Sequence, residues 1–322
     1  MTATRNKFAK RILVTGGAGF IGSNYLNWAV RKYPKYFFIN VDALTYAGRI
    51  KNVQVESESN YTFEKADIRD LKTMERIFKK YRPTHIIHFA AESHVDVSIS
   101  NPDIFIETNV IGTHNLLILA KKYQLKRFHH ISTDEVYGSL APHARSSKED
   151  DGLFPNSPYS ASKASAEMLV RAYNKTFGLD TVITRSSNNY GPFQYEEKII
   201  PLFITHLLAN KKVPLYGNGR NIRNWIYVED NVEGINSAFH KGKSGEIYNL
   251  GGTTELSNIK LTTILLRALH KASRMITYVT DRPGHDVRYS LDSSKAKKQL
   301  GWKPRTSFAE GLKKTIEFYR GS

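Results

Sequence analysis

The chain of 322 residues contains no cysteine. Disulfides, thiolate catalysis and zinc sites built on cysteine are therefore excluded, and no metal site is expected. The chain also lacks an apolar run of the ~18 residues that a membrane-spanning helix needs, so no membrane partner is expected. The N-terminal stretch Met1–Lys10 is polar and basic. Because it has no apolar segment, we expect no secretory signal and a cytoplasmic location.

Acidic residues are few beside the basic ones, 30 against 47, which gives a net charge of +17. Such an excess attracts polyanions or phosphorylated small molecules, but a solvated, lysine-rich surface gives the same balance. The basic residues are spread along the chain in short pairs such as Lys121-Lys122. No zinc-finger, homeodomain or RNP pattern accompanies them, so we expect no nucleic-acid partner.

A glycine cluster follows the first short apolar run, Arg11–Thr15, and precedes a helical pattern that ends near Tyr33. Its members Gly16, Gly19 and Gly22 have the spacing Gly-x-x-Gly-x-x-Gly, with Phe20 and Ile21 between the last two. Glycines allow a tight turn and a close approach to a pyrophosphate at a helix N-terminus. Strand, glycines and helix in this order predict a dinucleotide site.

Two acidic residues end the next strands. Asp42 follows the strand Tyr36–Val41, twenty residues past Gly22. An acid there accepts hydrogen bonds from a ribose diol and repels a 2′-phosphate, so NAD is favoured over NADP; a turn aspartate is the alternative. Thr45 and Gly48 would then run beneath the adenosine. Asp67, with Ile68, follows the strand Tyr61–Lys65 and would touch the adenine or cap the next helix.

The fourth strand, His85–Phe89, ends in the small residues Ala90 and Ala91, followed by Ser93 and His94. Small side chains let the backbone pass close to a cofactor. His94 would face a substrate or serve as a structural hydrogen-bonding histidine.

The fifth strand, Arg127–Ser132, delivers the cluster Thr133-Asp134-Glu135. In open α/β sheets, ligands bind beyond the carboxyl ends of the strands. After a polar loop, Gly138–Asn156, which we expect to act as a lid, Ser157-Pro158 opens a helix. Tyr159 and Lys163 are four residues apart on one helical face, where the ammonium lowers the pKa of the phenol. We therefore predict that these five side chains are catalytic.

The pattern predicts an α/β fold. Strands alternating with helices favour a Rossmann-type doubly wound parallel sheet of six or seven strands. A smaller mixed α/β domain for the substrate would follow at the C-terminus. We expect an NAD-binding domain over residues 1–190, with 225–250 returning to it, and an interleaved substrate-binding domain over residues 191–322.

Six motifs resemble one family. They are Thr-Gly-Gly-Ala-Gly-Phe-Ile-Gly, His-Phe-Ala-Ala-Glu-Ser-His-Val-Asp, Ser-Thr-Asp-Glu-Val-Tyr-Gly, Tyr-Ser-Ala-Ser-Lys, Asn-Asn-Tyr-Gly-Pro and Asp-Arg-Pro-Gly-His-Asp, in this order between Arg11 and Tyr319. Together they resemble the extended short-chain dehydrogenase/reductases, and within them the nucleoside-diphosphate-glucose 4,6-dehydratases. The resemblance implies bound NAD, a dTDP-glucose or UDP-glucose substrate, a homodimer and a role in deoxysugar biosynthesis of the rhamnose type.

The resemblance also implies a role for each residue of the cluster. Tyr159 would remove the proton of the C4 hydroxyl while hydride leaves C4, and Lys163 would lower the pKa of Tyr159. Glu135 would take the C5 proton and Asp134 would protonate the departing C6 hydroxyl. Hydride would then return to C6, giving a 4-keto-6-deoxy sugar.

Further residues are implied to surround the ligands. The cofactor set adds Phe89, Ala90, Ala91, Ser93, Thr108 and Asn189 to the glycine loop, Asp42, Thr45, Gly48, Asp67 and Ile68. The substrate set comprises Ser93, Thr133, Asn188, Lys198, Tyr216, Arg223, Asn258, Arg282 and His285. For each outer member, a surface or capping role is the alternative.

Two positions depart from the family's pattern and leave the nucleotide open. Where the family's motif Arg-Asp-Trp is expected, Asn224 replaces the aspartate. Val97 stands where an arginine is common. A 4-epimerase or decarboxylase of the same family is the alternative enzyme, and a non-catalytic dinucleotide-binding protein is the alternative outside enzymes.

Overall fold

The computed structural model describes residues 8–321. Most of the stretch Met1–Lys10, on which the prediction about a secretory signal was made, lies outside the described residues. The chain divides into two compact units. The first comprises the chain up to Ser132, Ser157–Arg185 and Ile235–Tyr248, and the second comprises Thr133–Asn156, Ser186–Gly234 and the chain from Asn249 onward.

The strands are β1 (Lys10–Thr15), β2 (Tyr36–Asp42), β3 (Tyr61–Lys65), β4 (His85–His88), β5 (Arg127–Thr133), β6 (Thr181–Ser186), β7 (Asn188–Tyr190), β8 (Val213–Tyr216), β9 (Ile222–Tyr227), β10 (Glu246–Leu250), β11 (Thr254–Ser257) and β12 (Ile276–Val279). The helices are α1 (Phe20–Lys32), α2 (Leu71–Tyr81), α3 (Val95–Ser100), α4 (Asp103–Phe105), α5 (Thr113–Lys122), α6 (Pro158–Phe177), α7 (Ile199–Leu208), α8 (Val228–Lys241), α9 (Asn258–Ala268), α10 (Ser294–Leu300) and α11 (Phe308–Arg320).

Seven strands form one sheet in the order β10-β6-β5-β4-β1-β2-β3. The pairs of β1 with β2 and β4, of β2 with β3 and of β4 with β5 are parallel. The chain first winds outward from β1 to β3 and then resumes on the other side of β1 with β4. This reversal is the switch point at which doubly wound folds bind ligands, and it confirms the predicted fold class.

The strands of this sheet read as near-continuous apolar runs because helices cover both faces of a parallel sheet. Leu13, Ile39, Ile86 and Phe128 are fully buried in the core of the first unit. The second unit has its own core, in which Phe203, Leu265 and Trp225 are buried. Around that core lie a three-stranded sheet, β11-β9-β7, and a two-stranded sheet, β12-β8.

The segment 225–250 is divided between sheets. Trp225 to Tyr227 belong to β9 in the three-stranded sheet, whereas Glu246–Leu250 is the edge strand of the seven-stranded sheet. Apolar strands of three to six residues look alike in sequence, so the pattern alone does not assign each strand to its sheet.

Between α4 and α5 the chain forms a π-helical segment, Ile106–Gly112. The wider turn contains Asn109, whose buried side chain bonds outside the helix. Among the described residues, no helix is long and apolar enough to cross a membrane.

The loop Gly138–Asn156 is irregular, as predicted, but it is fastened along its length. Leu140 N donates to Arg288 O at 2.9 Å and Ser147 N donates to Ser290 O at 2.9 Å. Asn249 Nδ2 donates to Ser147 O at 2.9 Å. These bonds tie the loop to its own unit and argue against a lid formed by the whole loop.

Candidate active site

The glycine turn after β1 is shaped by close backbone approach. Gly16, the first residue beyond β1, has a φ of +71°, and a Cβ there would lie 2.5 Å from Ala90 N, two residues beyond β4. A Cβ on Gly22 would lie 2.2 Å from Gly16 O. Helix α1 begins after Gly19 with no side-chain cap and no acid in its first turn. Its N-terminal amides therefore suit a pyrophosphate.

Asp42 organises the turn that follows β2. Its buried carboxylate accepts Ala18 N at 2.9 Å on one oxygen and Leu44 N at 2.8 Å on the other. Burial raises the pKa of Asp42, against the two backbone hydrogen bonds that lower it. Each oxygen retains a second lone pair, so the turn role and ribose recognition are compatible.

Asp67 does not cap helix α2; Asp70 does, accepting Thr73 N at 3.0 Å. Asp67 instead accepts Arg69 N at 2.8 Å and the Arg69 side chain at 2.7 Å. Its neighbour Ile68 is buried against Gly112. Of the alternative roles for Asp67, a helix cap or a turn residue, the structure shows the turn role and not the cap.

The loop after β4 is held by a residue that the sequence analysis missed. Asn109 accepts Glu92 N at 2.9 Å and donates to Glu92 O at 3.0 Å. It also donates to Ser162 Oγ at 2.9 Å. One buried amide thus fixes the Ala90–Ser93 segment against helix α6. Half-buried Thr108 precedes it in the π-helical segment.

Helix α6 presents Tyr159 and Lys163 as predicted. Ser157 caps it: Ser157 Oγ accepts Ser160 N at 3.1 Å, and Ser160 Oγ accepts Ser157 N at 3.0 Å. Tyr159 is buried, with its ring edge-on to Phe105. Lys163 Nζ donates to Ile131 O of β5 at 2.7 Å. Burial lowers the pKa of Lys163 to about 8, opposed by Glu167.

The cluster Thr133-Asp134-Glu135 begins the second unit. Thr133 Oγ1 accepts Glu135 N at 3.2 Å and donates to Asp134 Oδ1 at 3.3 Å. Asp134 is 3% exposed, and its Oδ2 atom has no hydrogen-bond partner among the described residues. Burial, and then the charge of Glu135, raise the pKa of Asp134 to about 8. Asp134 is therefore mostly protonated at neutral pH.

Glu135 lies in a more cationic environment. Burial raises the pKa of Glu135 above its usual value, and the charges of Arg282, Arg223 and Lys198 offset part of that rise. For Asp134, the cation whose charge lowers the pKa is Arg223. Neighbouring carboxyls whose surroundings separate their pKa values can divide the roles of acid and base.

Arg223 is buried beside these acids. Its guanidinium lies 4.4 Å from the centre of the Tyr289 ring and donates to Ile222 O and to Asp286 O. Asp286 accepts hydrogen bonds from the Tyr289 hydroxyl and from Asn156 Nδ2. Asp286 and Tyr289 were missed, although Asp286 ends the quoted motif Asp-Arg-Pro-Gly-His-Asp.

Apart from Ser93, which belongs to the first unit, the other predicted substrate residues also lie in the second unit. His285 Nδ1 pairs with Asp281 Oδ1 at 2.6 Å, and the Tyr216 ring stands edge-on to His285. Lys198 precedes α7, and buried Asn258 begins α9. The Oδ1 atoms of Asn188 and Asn189 are buried without a partner in the described chain, as expected of groups that meet a ligand.

The departure at Asn224 has a structural reason. Asn224 Nδ2 donates to Gly252 O at 2.9 Å, and Asn224 Oδ1 accepts Gly252 N at 2.9 Å. An aspartate could accept here but not donate. Elsewhere in residues 8–321, no group of three or more acidic or histidine side chains is placed to hold a metal ion.

Comparison with known proteins identifies the family. A family model described as GDP-mannose 4,6 dehydratase matches residues 13–315. The dTDP-glucose 4,6-dehydratase of Salmonella typhimurium is 47% identical, with 96% of this chain and 92% of the relative covered.

Solved structures agree. The dTDP-glucose 4,6-dehydratase of Streptomyces venezuelae, solved with NAD bound, is 47% identical, covers 97% of each chain and has a TM-score of 0.94. The UDP-glucose 4-epimerase of Thermotoga maritima is more distant, with 33% identity, 97% and 99% coverage and a TM-score of 0.90. The chain therefore belongs to the extended short-chain dehydrogenase/reductases, and within them to the nucleoside-diphosphate-sugar 4,6-dehydratases.

Proposed function

We propose that this protein is an NAD-dependent dTDP-glucose 4,6-dehydratase, a hydro-lyase that forms the 4-keto-6-deoxy sugar. The observation that carries the proposal is the acid pair: burial and the charge of Glu135 raise the pKa of Asp134 to about 8, whereas at Glu135 three cations offset part of the rise that burial causes. A neutral carboxylic acid beside a carboxylate is what elimination of water requires, because one group must give a proton while the other takes one. The related dTDP-glucose enzymes support the choice of nucleotide.

The first unit has the features of an NAD site. The blocked Cβ position at Gly16, the uncapped start of α1 and the Asp42 carboxylate fit a pyrophosphate and a ribose. Ser93 and Thr108 of the same unit would complete the site. When bound there, NAD would supply the hydride acceptor for C4 of the sugar and the hydride donor for C6.

Tyr159 and Lys163 are assigned to the first step. Tyr159 takes the proton of the C4 hydroxyl, and the nearby ammonium stabilises the phenolate. The resulting 4-keto group acidifies the C5 proton. Glu135 removes that proton, and Asp134 protonates the C6 hydroxyl as water leaves.

The nucleotide and its diphosphate are assigned to the second unit. Arg223, Arg282 and Lys198 supply positive charge, and an arginine fork binds phosphate in a bidentate manner. Tyr216, His285 and Asn258 would line the nucleoside, whereas Thr133 and Asn188 would contact the glucose. Part of the net charge of +17 then has a role in substrate binding.

The experiment compares dTDP-glucose, UDP-glucose and GDP-mannose as substrates, each followed by alkali and measurement of 4-keto-sugar absorbance. We expect the highest kcat/KM with dTDP-glucose and loss of the C6 oxygen by mass spectrometry. A C4-epimerised product that retains its C6 oxygen would establish the epimerase alternative instead. Equal or better turnover of UDP-glucose would contradict the assigned nucleotide.

We also propose a homodimer formed by one helical face of the first unit. Its exposed apolar side chains lie on α3, the π-helical segment and α6 and are Val97, Ile99, Ile106, Ile111 and Met168, each between 39% and 48% exposed. Val97, the second departure from the family's pattern, adds apolar area to this face.

The proposed location is the cytoplasm, where nucleotide sugars are made.

A further inference from the structure

A fully buried ion pair lies in the first unit and has no part in the chemistry assigned above. The side chains of Glu167 and Arg185 are 0% and 1% exposed. Arg185 Nη2 donates to Glu167 Oε2 at 2.6 Å, and Arg185 Nε lies 3.1 Å from each carboxylate oxygen. Burying two charges is costly, and an apolar pair of similar volume often gives equal or greater stability. Stability alone is therefore a weak reason for this pair.

The position of the pair points to Lys163. Glu167 follows Lys163 by four residues on α6, so the two side chains share one face of the helix. The Lys163 ammonium is fixed to Ile131 O of β5 at 2.7 Å. Arg185 lies on β6, the neighbour of β5 in the sheet, and holds the Glu167 carboxylate in a fork.

We propose that Glu167 is a positioning residue for the reaction: its carboxylate, fixed by Arg185, keeps the buried Lys163 ammonium charged beside Tyr159. The inference rests on the proposed function, in which Lys163 stabilises the phenolate of Tyr159. It assigns Arg185 the task of holding the Glu167 carboxylate in place.

The other titratable groups that act on Lys163 do not supply this negative charge. His88, on β4, lies between Thr15 Oγ1 at 2.7 Å and Thr113 Oγ1 at 2.9 Å. His130, on β5, is fully buried, and neither ring nitrogen has a partner within residues 8–321. Burial, and then the charge of Lys163, hold the pKa of both rings far below the usual value, so they remain neutral.

Removal of the carboxylate has a predictable direction. Burial already lowers the pKa of Lys163 to about 8, and Glu167 opposes that effect. Without Glu167, the ammonium loses its proton at a lower pH, and the phenolate of Tyr159 loses its support. The alkaline limb of the pH–rate profile should therefore move to lower pH.

The test compares two variants. Glu167→Gln removes the charge but leaves the buried Arg185 guanidinium without the Glu167 carboxylate, which is expected to destabilise the fold. The double variant Glu167→Met with Arg185→Met removes both charges and keeps an apolar interior. Glu310→Gln, which removes the acid of an exposed i,i+4 pair with Lys314, is the matched control.

We expect the double variant to fold, to lower kcat/KM for dTDP-glucose at pH 8 roughly fivefold and to move the alkaline limb about one pH unit lower. The control Glu310→Gln should leave kcat/KM and the position of the alkaline limb unchanged. A folded double variant with the wild-type pH profile would overturn the proposal and leave the pair a structural role.

A second measurement separates this inference from the proposed function. If wild-type protein does not convert dTDP-glucose, the proposed function fails, and the Lys163 titration is read instead by NMR of protein with ¹³C-labelled lysine side chains. The Lys163 resonance is assigned by its absence in Lys163→Met. A midpoint about one unit lower in the double variant supports the inference, and an unchanged midpoint overturns it.

Discussion

Replacing Asp134 by Asn should make the protein more stable at neutral pH while abolishing dehydration. In the folded chain, burial and the charge of Glu135 raise the pKa of Asp134 from 3.8 to about 8. In the unfolded chain this carboxyl ionises near its ordinary value. Between these two values the folded state binds a proton that the unfolded state does not. The free energy of unfolding therefore decreases as the pH rises through this window.

The magnitude follows from the shift. Each pH unit between ~4 and ~8 lowers the free energy of unfolding of the wild type by about 1.4 kcal/mol, so the loss reaches about 4 kcal/mol at pH 7. Asparagine has no proton to take up, and its Oδ1 can still accept the hydrogen bond that Thr133 Oγ1 donates. The free energy of unfolding of Asp134→Asn should therefore equal that of the wild type near pH 4 and exceed it by about 4 kcal/mol at pH 7.

The assay is urea denaturation of both proteins, free of NAD and substrate, at pH 5, 6, 7 and 8. Taking the difference between the two proteins cancels groups that titrate alike in both. Asp150→Asn, at an exposed position of the loop 138–156, serves as the control and should change stability by less than about 0.5 kcal/mol at every pH. A difference between Asp134→Asn and wild type that does not grow with pH would refute the argument for a protonated Asp134.

The other variants test separate parts of the account. Tyr159→Phe should lower kcat by about 10³-fold, because the base is lost, while NAD measured after denaturation remains stoichiometric; normal turnover would refute the assignment. Asn224→Asp, which restores the family's usual residue, should cost about 2 kcal/mol in chemical denaturation because Gly252 O loses its donor; unchanged stability would contradict that reasoning. Ile111→Lys should yield monomers in sedimentation analysis, with Lys241→Ala on α8 as the control; an intact dimer would exclude this face.

Local patterns predicted the first unit well. The run Arg11–Thr15, the glycines and the helix after them each carry a strong signal, because turn geometry and strand burial depend on neighbouring residues. The same holds for Ser157, whose capping role is visible from Pro158 and the helical pattern that follows.

Long-range contacts were less accessible from sequence. Asn109 bonds to Glu92 and Glu167 bonds to Arg185, in each case 17 or more residues away along the chain. Asp286 bonds to both Asn156 and Tyr289. No periodicity reports such pairings. The acid pair was recognisable as a motif, but the different surroundings of Asp134 and Glu135 depend on burial and on Arg223, Arg282 and Lys198, which only folding brings near.

The most direct test of the division between oxidation at C4 and loss of water uses Asp134→Asn combined with Glu135→Gln. The variant is incubated with dTDP-glucose and quenched with sodium borodeuteride, and the sugar is analysed by mass spectrometry. The account predicts deuterium at C4 of a sugar that keeps its C6 hydroxyl, with no 6-deoxy product. Formation of the 4-keto-6-deoxy sugar at the native rate would contradict it.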